Sequence, residues 1–325
     1  VKIIIVTALA ATSVFAATVA ASGAAFDISE PLSTNGPLTS PWVASGTVTP
    51  AVVDGALLLT NTDEGQRGFA LYDQAISVTR GIDVTFSQAQ WGGTGADGIV
   101  FFVKKGTDSS TTPGADGGAM GYAPAAAVAD PPTDAIPGLS GALLGIGLDS
   151  YGNFANAGSN GTGCSTEFNG LTVPNVITVR GDGQGQVGYC LLAAPYNLST
   201  NSLNPLSASY ATRDEAARQV RVVIDPANAS DPRVEVYYDG GTLPIIDIPL
   251  PASFSAVSTV KIGFSAGTGG STNNHNVWGL TSTSAEAEEE LAATGSSETV
   301  GLGALIVATL AGIAAVAVRR RRTQQ

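Results

Sequence analysis

Hydrophobic and polar side chains alternate with a period of two through much of the chain. Ile82, Val84 and Phe86 are interleaved with Asp83, Thr85 and Ser87, and Val234, Val236 and Tyr238 with Arg233, Glu235 and Tyr237. Successive side chains of a strand point to opposite faces, so this pattern predicts strands with one face buried and one in water. Ile99 to Val103 and Val220 to Ile224 are more continuously apolar. They are expected as strands covered on both faces or lying deep in a sandwich. Only Arg213 to Gln219 suggests a helical turn. Gly, Asn, Ser and Pro punctuate the rest, and 40 glycines and 17 prolines leave little room for long helices. The pattern therefore predicts an all-β, loop-rich sandwich.

The two ends depart from this pattern. Lys2 precedes an apolar run from Ile3 to about Ala21, and Val19, Ala21, Ser22, Gly23 and Ala24 supply the small residues of an A-x-A-like cleavage site. Residues 1–25 are read as a signal peptide with a signal helix, removed on export. At the other end the uncharged stretch 300–318 is long enough for a transmembrane helix. Arg319, Arg320, Arg321 and Arg322 follow it as a basic stop that stays on the cytoplasmic side. Leu291-Ala292-Ala293-Thr294-Gly295 precedes it. In that order the three features of 291–325 resemble the cell-wall sorting signal of Gram-positive surface proteins, in which a sortase cysteine cleaves after the threonine and passes its carbonyl to a cell-wall amine. The resemblance implies cleavage between Thr294 and Gly295, with sortase and cell-wall peptidoglycan as partners in anchoring. Ala292 stands where the commonest signal has Pro, so the match is to the Leu-Ala-x-Thr-Gly variant. A persistent single-pass membrane anchor is the alternative. The stretch 285–290 carries four glutamates and reads as an acidic spacer.

Without these ends, residues 26–284 remain, with no linker or internal repeat, and are read as one domain. Charge changes the functional picture. The processed chain keeps ten basic against twenty-six acidic side chains, about −16. That surface repels nucleic acid and anionic lipid and suits cations, neutral sugars or simple solubility. Cys164 and Cys190, the only cysteines, are expected to form one disulfide outside the cell, with a free-thiol or metal role as the alternative.

Several segments, in order, resemble the legume-type (L-type) lectin domain, most closely its bacterial branch. They begin with Gly55-Ala56-Leu57-Leu58-Leu59-Thr60 and Gly95-Ala96-Asp97-Gly98-Ile99-Val100-Phe101-Phe102. Gly117-Gly118-Ala119-Met120-Gly121-Tyr122 and Leu148-Asp149-Ser150-Tyr151-Gly152-Asn153-Phe154 follow. Val220-Arg221-Val222, Val260 to Ala266 and His275-Asn276-Val277-Trp278 close the series. The resemblance spans nearly the whole of 26–284. It implies a concanavalin A-like jelly-roll sandwich of two large antiparallel sheets, with a sugar site in the loops at one end and a homodimer through a flat back sheet as an assembly open to it.

Sugars offer neighbouring hydroxyls that both donate and accept, so a carboxylate, an amide, a backbone N–H and an aromatic face held together suffice to bind them. The resemblance assigns the carboxylate to Asp97, after a cis peptide bond, the N–H to Gly118 and the amide to Asn153. The loop from Gly267 to Asn274 would choose the sugar. Each has a structural alternative: a turn aspartate at Asp97 and a tight turn at Gly118. Tyr151 and Phe154 are equal candidates for the aromatic face.

Asp149, Tyr151 and Asn153 sit at i, i+2 and i+4, where a carboxylate, a main-chain carbonyl and an amide oxygen could converge on calcium. Calcium is the candidate cofactor on this basis. Relatives with two metals carry a Glu two residues before this Asp, and a further Asp and a His after the Asn. Here the first position is Gly147, and 155–164 has neither Asp nor His. No transition metal is therefore expected. Without calcium, loop hydrogen bonds or the Cys164 disulfide would hold Asn153. His275, the only histidine, is expected to be structural.

Glycoside hydrolases on related jelly rolls need two carboxylates flanking the scissile bond, usually from Glu-x-Asp-x-Glu. Gly147-Leu148-Asp149-Ser150-Tyr151 lacks both glutamates. The chain is expected not to be an enzyme but a cell-surface adhesin for extracellular glycans. A module binding protein, or nothing, on the same fold is the alternative.

Overall fold

The computed structural model describes residues 25–129, 132–156, 161–165, 172–207, 210–226 and 231–284. The signal peptide, acidic spacer and sorting signal, with Thr294 and Gly295, lie outside these. The longer strands, in chain order, are β1 (Asp27–Glu30), β2 (Trp42–Gly46), β3 (Ala56–Thr60), β4 (Arg67–Ser77), β5 (Ile82–Trp91), β6 (Gly98–Lys105) and β7 (Ala142–Asp149). They continue with β8 (Val176–Arg180), β9 (Arg218–Asp225), β10 (Arg233–Tyr238), β11 (Ile246–Pro249), β12 (Thr259–Gly267) and β13 (Asn274–Thr283).

They form two nine-stranded sheets. One runs β11-β10-β9-β5-β13-β3 and ends on the short strands Ala51–Val53 and Gly36–Pro37, with β1 also on β13. The other centres on β7-β6-β12-β4-β2, with β8 on the outer side of β7. The pairings among these strands are antiparallel, as in β5 with β9 and β6 with β12. Consecutive strands pair in places, as in β9 with β10, and distant ones in others, as in β5 with β13, so the chain adopts the expected sandwich of two large antiparallel sheets.

The alternation read from sequence is the packing. Ile82, Val84, Phe86, Val234 and Val236 are fully buried between the sheets, where Phe86, Phe101 and Phe264 meet. The Phe86 and Phe264 rings cross edge to face at 4.9 Å. β6 is apolar without interruption because both its faces are covered. Ile99, Phe101 and Val103 face the inter-sheet core, while Val100 and Phe102 enter a second cluster with Met120, Tyr122, Phe154 and Tyr189 beneath the loops.

One expectation narrows and another changes. Of the two readings of Val220 to Ile224, the strand lies deep in the sandwich and is not covered on both faces: Val220, Val222 and Ile224 are buried in the core, but Arg221 is exposed and Val223 half-buried. Arg221 instead pairs with Asp83 across the outer face, Nη2 to Oδ2 at 2.7 Å. The helical turn is also shorter, Arg213–Ala216, closed by a capping box between Thr212 and Glu215. From Arg218 onward, pairing with β5 takes over the backbone. Cys164 and Cys190 form the expected disulfide.

Truncating Phe86 to Ala removes the ring at the centre of the aromatic cluster and is expected to cost about 3–5 kcal/mol in urea unfolding. A cost under about 1 kcal/mol would show that the inter-sheet core does not depend on this contact.

Candidate functional site

Three strand ends meet at one edge of the second sheet. β6 begins at Gly98, which faces Asp149 at the end of β7 and Gly267 at the end of β12. A Cβ on Gly98 would lie 2.4 Å from the Leu148 carbonyl oxygen, so only glycine lets the chain enter here. Just before it, a cis peptide bond joins Ala96 to Asp97. Asp97 donates its N–H to the Gly267 carbonyl at 3.1 Å, and its own carbonyl accepts the N–H groups of Ser150 and Tyr151 and the Ser150 hydroxyl. The backbone of Asp97 is thus tied to both neighbouring strand ends.

Its side chain faces a cavity of about 250 Å³ lined also by Gly118, Asn153, Tyr151 and the 269–271 turn. Asp97 is only 4% exposed, and its buried Oδ2 has no hydrogen-bond partner in the protein. Burial, and then the charge of Asp116, push its pKa up to about 7. Gly118 lies flat against Asn153: a Cβ there would be 2.5 Å from the Asn153 Cβ. Asn153 Oδ1 accepts from the Thr172 hydroxyl at 3.1 Å. The structure therefore brings Asp97, Gly118 and Asn153 to one cavity, with the glycines of 269–271 as its far wall.

The aromatic candidates separate. Tyr151 is 40% exposed at the cavity rim. Phe154 is wholly buried, edge to face with Tyr122 and with the Arg180 guanidinium 4.7 Å above its ring. Only Tyr151 can offer a face to a ligand.

The calcium arrangement does not fit these residues as first drawn. Asp149 is fully buried, and both carboxylate oxygens are engaged: Oδ1 accepts from Gly152 N–H at 2.6 Å, Oδ2 from Phe154 N–H at 2.7 Å and Ala155 N–H at 3.3 Å. Burial raises its pKa to about 7 against the pull of these three donors. A side chain at Gly147 would meet the Phe154 ring at 2.3 Å. Among the described residues, no three His, Cys, Asp or Glu side chains converge as a metal site. His275 is buried 2.6 Å from the Thr60 hydroxyl through Nδ1, and burial lowers its pKa to about 3, so it is neutral. It is buried near the start of β13, paired with Thr60 of β3, consistent with the structural role expected for it.

A larger open depression of about 770 Å³ lies nearby, lined by Gly92 to Gly95, Ser150, Asn175 and Tyr210. None of the described residues lining it is charged, whereas the smaller cavity holds the Asp97 carboxylate. Sequence reasoning passed over Asp116, whose charge acts on Asp97, and Arg180, whose buried guanidinium holds loop carbonyls. The only signal for Arg180 was a lone charge closing the apolar strand Val176–Arg180.

No protein-family model matches the chain, and no curated protein matches it by sequence. Solved structures do match it by shape. A calcium- and mannose-bound form of the VIP36 exoplasmic/lumenal domain aligns with a TM-score of 0.50 at 16% identity, over 77% of this chain and 85% of that one. The lectin from Bauhinia forficata in complex with GalNAc aligns at 0.50 and 17% identity, over 81% and 100%. The metal-free carbohydrate recognition domain of Emp46p aligns at 0.50 and 13%, over 76% and 90%. The chain thus has the jelly-roll fold of legume-type lectins. At these identities the likeness is one of fold.

The raised pKa of Asp97 makes a stability prediction. A carboxyl at about 7 in the fold and 3.8 when unfolded is no burden below pH 4. Stability is then lost as pH rises toward and through 7. Asp97→Asn removes this loss, so its advantage over wild type in thermal unfolding should grow between pH 5 and pH 8, by on the order of a few kcal/mol. A pH-independent difference between the two proteins would place the Asp97 carboxyl in water.

Proposed function

We propose that the Asp97 cavity binds carbohydrate and that the protein is a non-enzymatic, lectin-like adhesin. The observation that carries this reading is the buried, unpartnered Oδ2 of Asp97, at the wall of a cavity shared with Gly118, Asn153 and Tyr151. A buried acceptor left without a donor is costly, and a ligand that supplies hydroxyls relieves the cost. The backbone N–H of Gly118, the amide of Asn153 and the ring of Tyr151 complement such a ligand in donors and apolar face. The fold agrees: the VIP36 structure holds mannose and the Bauhinia forficata lectin GalNAc.

The ends of the sequence give the setting. A removed signal peptide, an acidic spacer and a sortase signal cleaved at Thr294-Gly295 would place the domain on the outer surface, attached to peptidoglycan or held by its membrane helix. A shallow polar cavity gives weak affinity for one sugar, which many copies on a wall raise through avidity.

A glycan-array screen of residues 26–284 tests the reading. Binding is expected, and Asp97→Ala should weaken it about 100-fold, the loss of two charge-assisted hydrogen bonds. Affinity should also rise with pH through about 7 as Asp97 ionises and both oxygens accept. A folded domain that binds no glycan, or Asp97→Ala binding as well as wild type, would contradict the proposed site.

A further inference from the structure

The loop after β7 is strung between two buried side chains of opposite charge type. On one side Asp149 accepts the N–H groups of Gly152, Phe154 and Ala155. On the other, Arg180 at the end of β8 donates to the carbonyls of the same segment. Its Nε reaches the Phe154 oxygen at 2.9 Å and Nη2 the Asn156 oxygen at 2.9 Å, with a second bond from Nη2 to Phe154. Nη1 holds the Tyr189 carbonyl at 2.6 Å, beside the disulfide at Cys190. Asn153 lies between Gly152 and Phe154, both held by Asp149, and one residue before the first carbonyl held by Arg180; its own carbonyl closes the turn on Asn156 N–H at 3.0 Å.

Arg180 is fully buried. Burial lowers its pKa to about 10, with the charges of Tyr122 and Asp149 acting the other way, so it is a cation at neutral pH. Carbonyl oxygens gathered on a fixed positive charge are what a hard metal ion also asks of a loop. Three bonding directions in one plane suit a guanidinium fork and not an ammonium. The space beside Gly147, where a carboxylate could strengthen a metal site, is taken by the Phe154 ring that stacks on Arg180. Of the ligands expected for calcium, Asp149 is taken by backbone donors and the Asn153 amide oxygen by the Thr172 hydroxyl, while the adjacent loop carbonyls of Phe154 and Asn156 are gathered on Arg180.

We infer that Arg180 is the resident cation of this loop, holding Asn153 at the Asp97 cavity in place of a metal ion, so that ligand binding there needs neither calcium nor a transition metal. The binding consequence rests on the carbohydrate reading; the absence of a metal at the loop does not. Arg180 is a positioning residue, since it acts on the cavity through Asn153.

The test begins without glycan. Purified protein is stripped with EDTA and titrated with calcium chloride by calorimetry and thermal unfolding. The expected result is a Tm shift under about 1 °C, whereas an ion bound at 100 times its Kd would raise Tm by roughly 5–10 °C. A rise of that size that disappears in Asp149→Asn would overturn the inference. In the second arm Arg180→Lys, which keeps the charge but not the fork, is expected to weaken glycan binding more than about 10-fold, with no recovery on adding calcium. Unchanged binding, or recovery by calcium, would overturn it. Wild type that binds no glycan would sink the carbohydrate reading, and the calcium titration would still decide the role of Arg180.

Discussion

Three donors converge on the main-chain carbonyl of Asp97: the N–H groups of Ser150 and Tyr151 and the Ser150 hydroxyl. With the bond from Asp97 N–H to Gly267, they tie the entry of β6 to the ends of β7 and β12. They fix the backbone from which the buried Asp97 side chain projects. One carboxylate oxygen is buried there without a donor from the protein, at a cost the fold bears. The glycines around it have a mechanical reason. Side chains at Gly98 and Gly118 would collide with Leu148 and Asn153, and one at Gly269 would crowd Asp97 Oδ2 at 3.3 Å.

The same economy governs the loop that brings Asn153 to the cavity. A turn of this length buries backbone N–H and C=O groups that water cannot reach, and each needs a partner. Asp149 satisfies donors and Arg180 satisfies acceptors, one from each of two neighbouring strands paired in register from Gly145 with Arg180 to Asp149 with Val176. Removing either would leave its opposite buried beside unsatisfied backbone, so the two are expected to act together and not additively. The second apolar cluster, with Tyr122, Phe154 and Tyr189, packs around this arrangement and excludes water from it.

Much of this could be read before any coordinates. Strand alternation at Ile82–Phe86 and Val234–Tyr238 reports which face is buried, and the segment Gly95 to Phe102 marks Asp97. What could not be read depends on backbone groups, which every residue carries alike. Asp149 reads as a metal ligand because its oxygens are visible in sequence while the three N–H donors that occupy them are not. Arg180 is silent for the same reason: its partners are carbonyls 24 to 26 residues back and 9 ahead. Tyr151 and Phe154 could not be ranked because strand parity ends at Asp149, where the loop begins. At Val220 to Ile224 the signal was present, since Arg221 interrupts the apolar run and belongs on a wet face.

The central claim is that a buried, donor-poor carboxylate in a metal-free loop frame forms a carbohydrate site. A crystal structure of the protein grown in EDTA, soaked with a glycan that it binds, addresses all parts of the claim at once. The account predicts two sugar hydroxyls on Asp97, the Asn153 amide and Gly118 N–H on the same sugar, and the Arg180 guanidinium still on the Phe154 and Asn156 carbonyls with no ion beside Asp149. A sugar bound elsewhere, or retained density for a metal between Asp149 and Asn153, would contradict it.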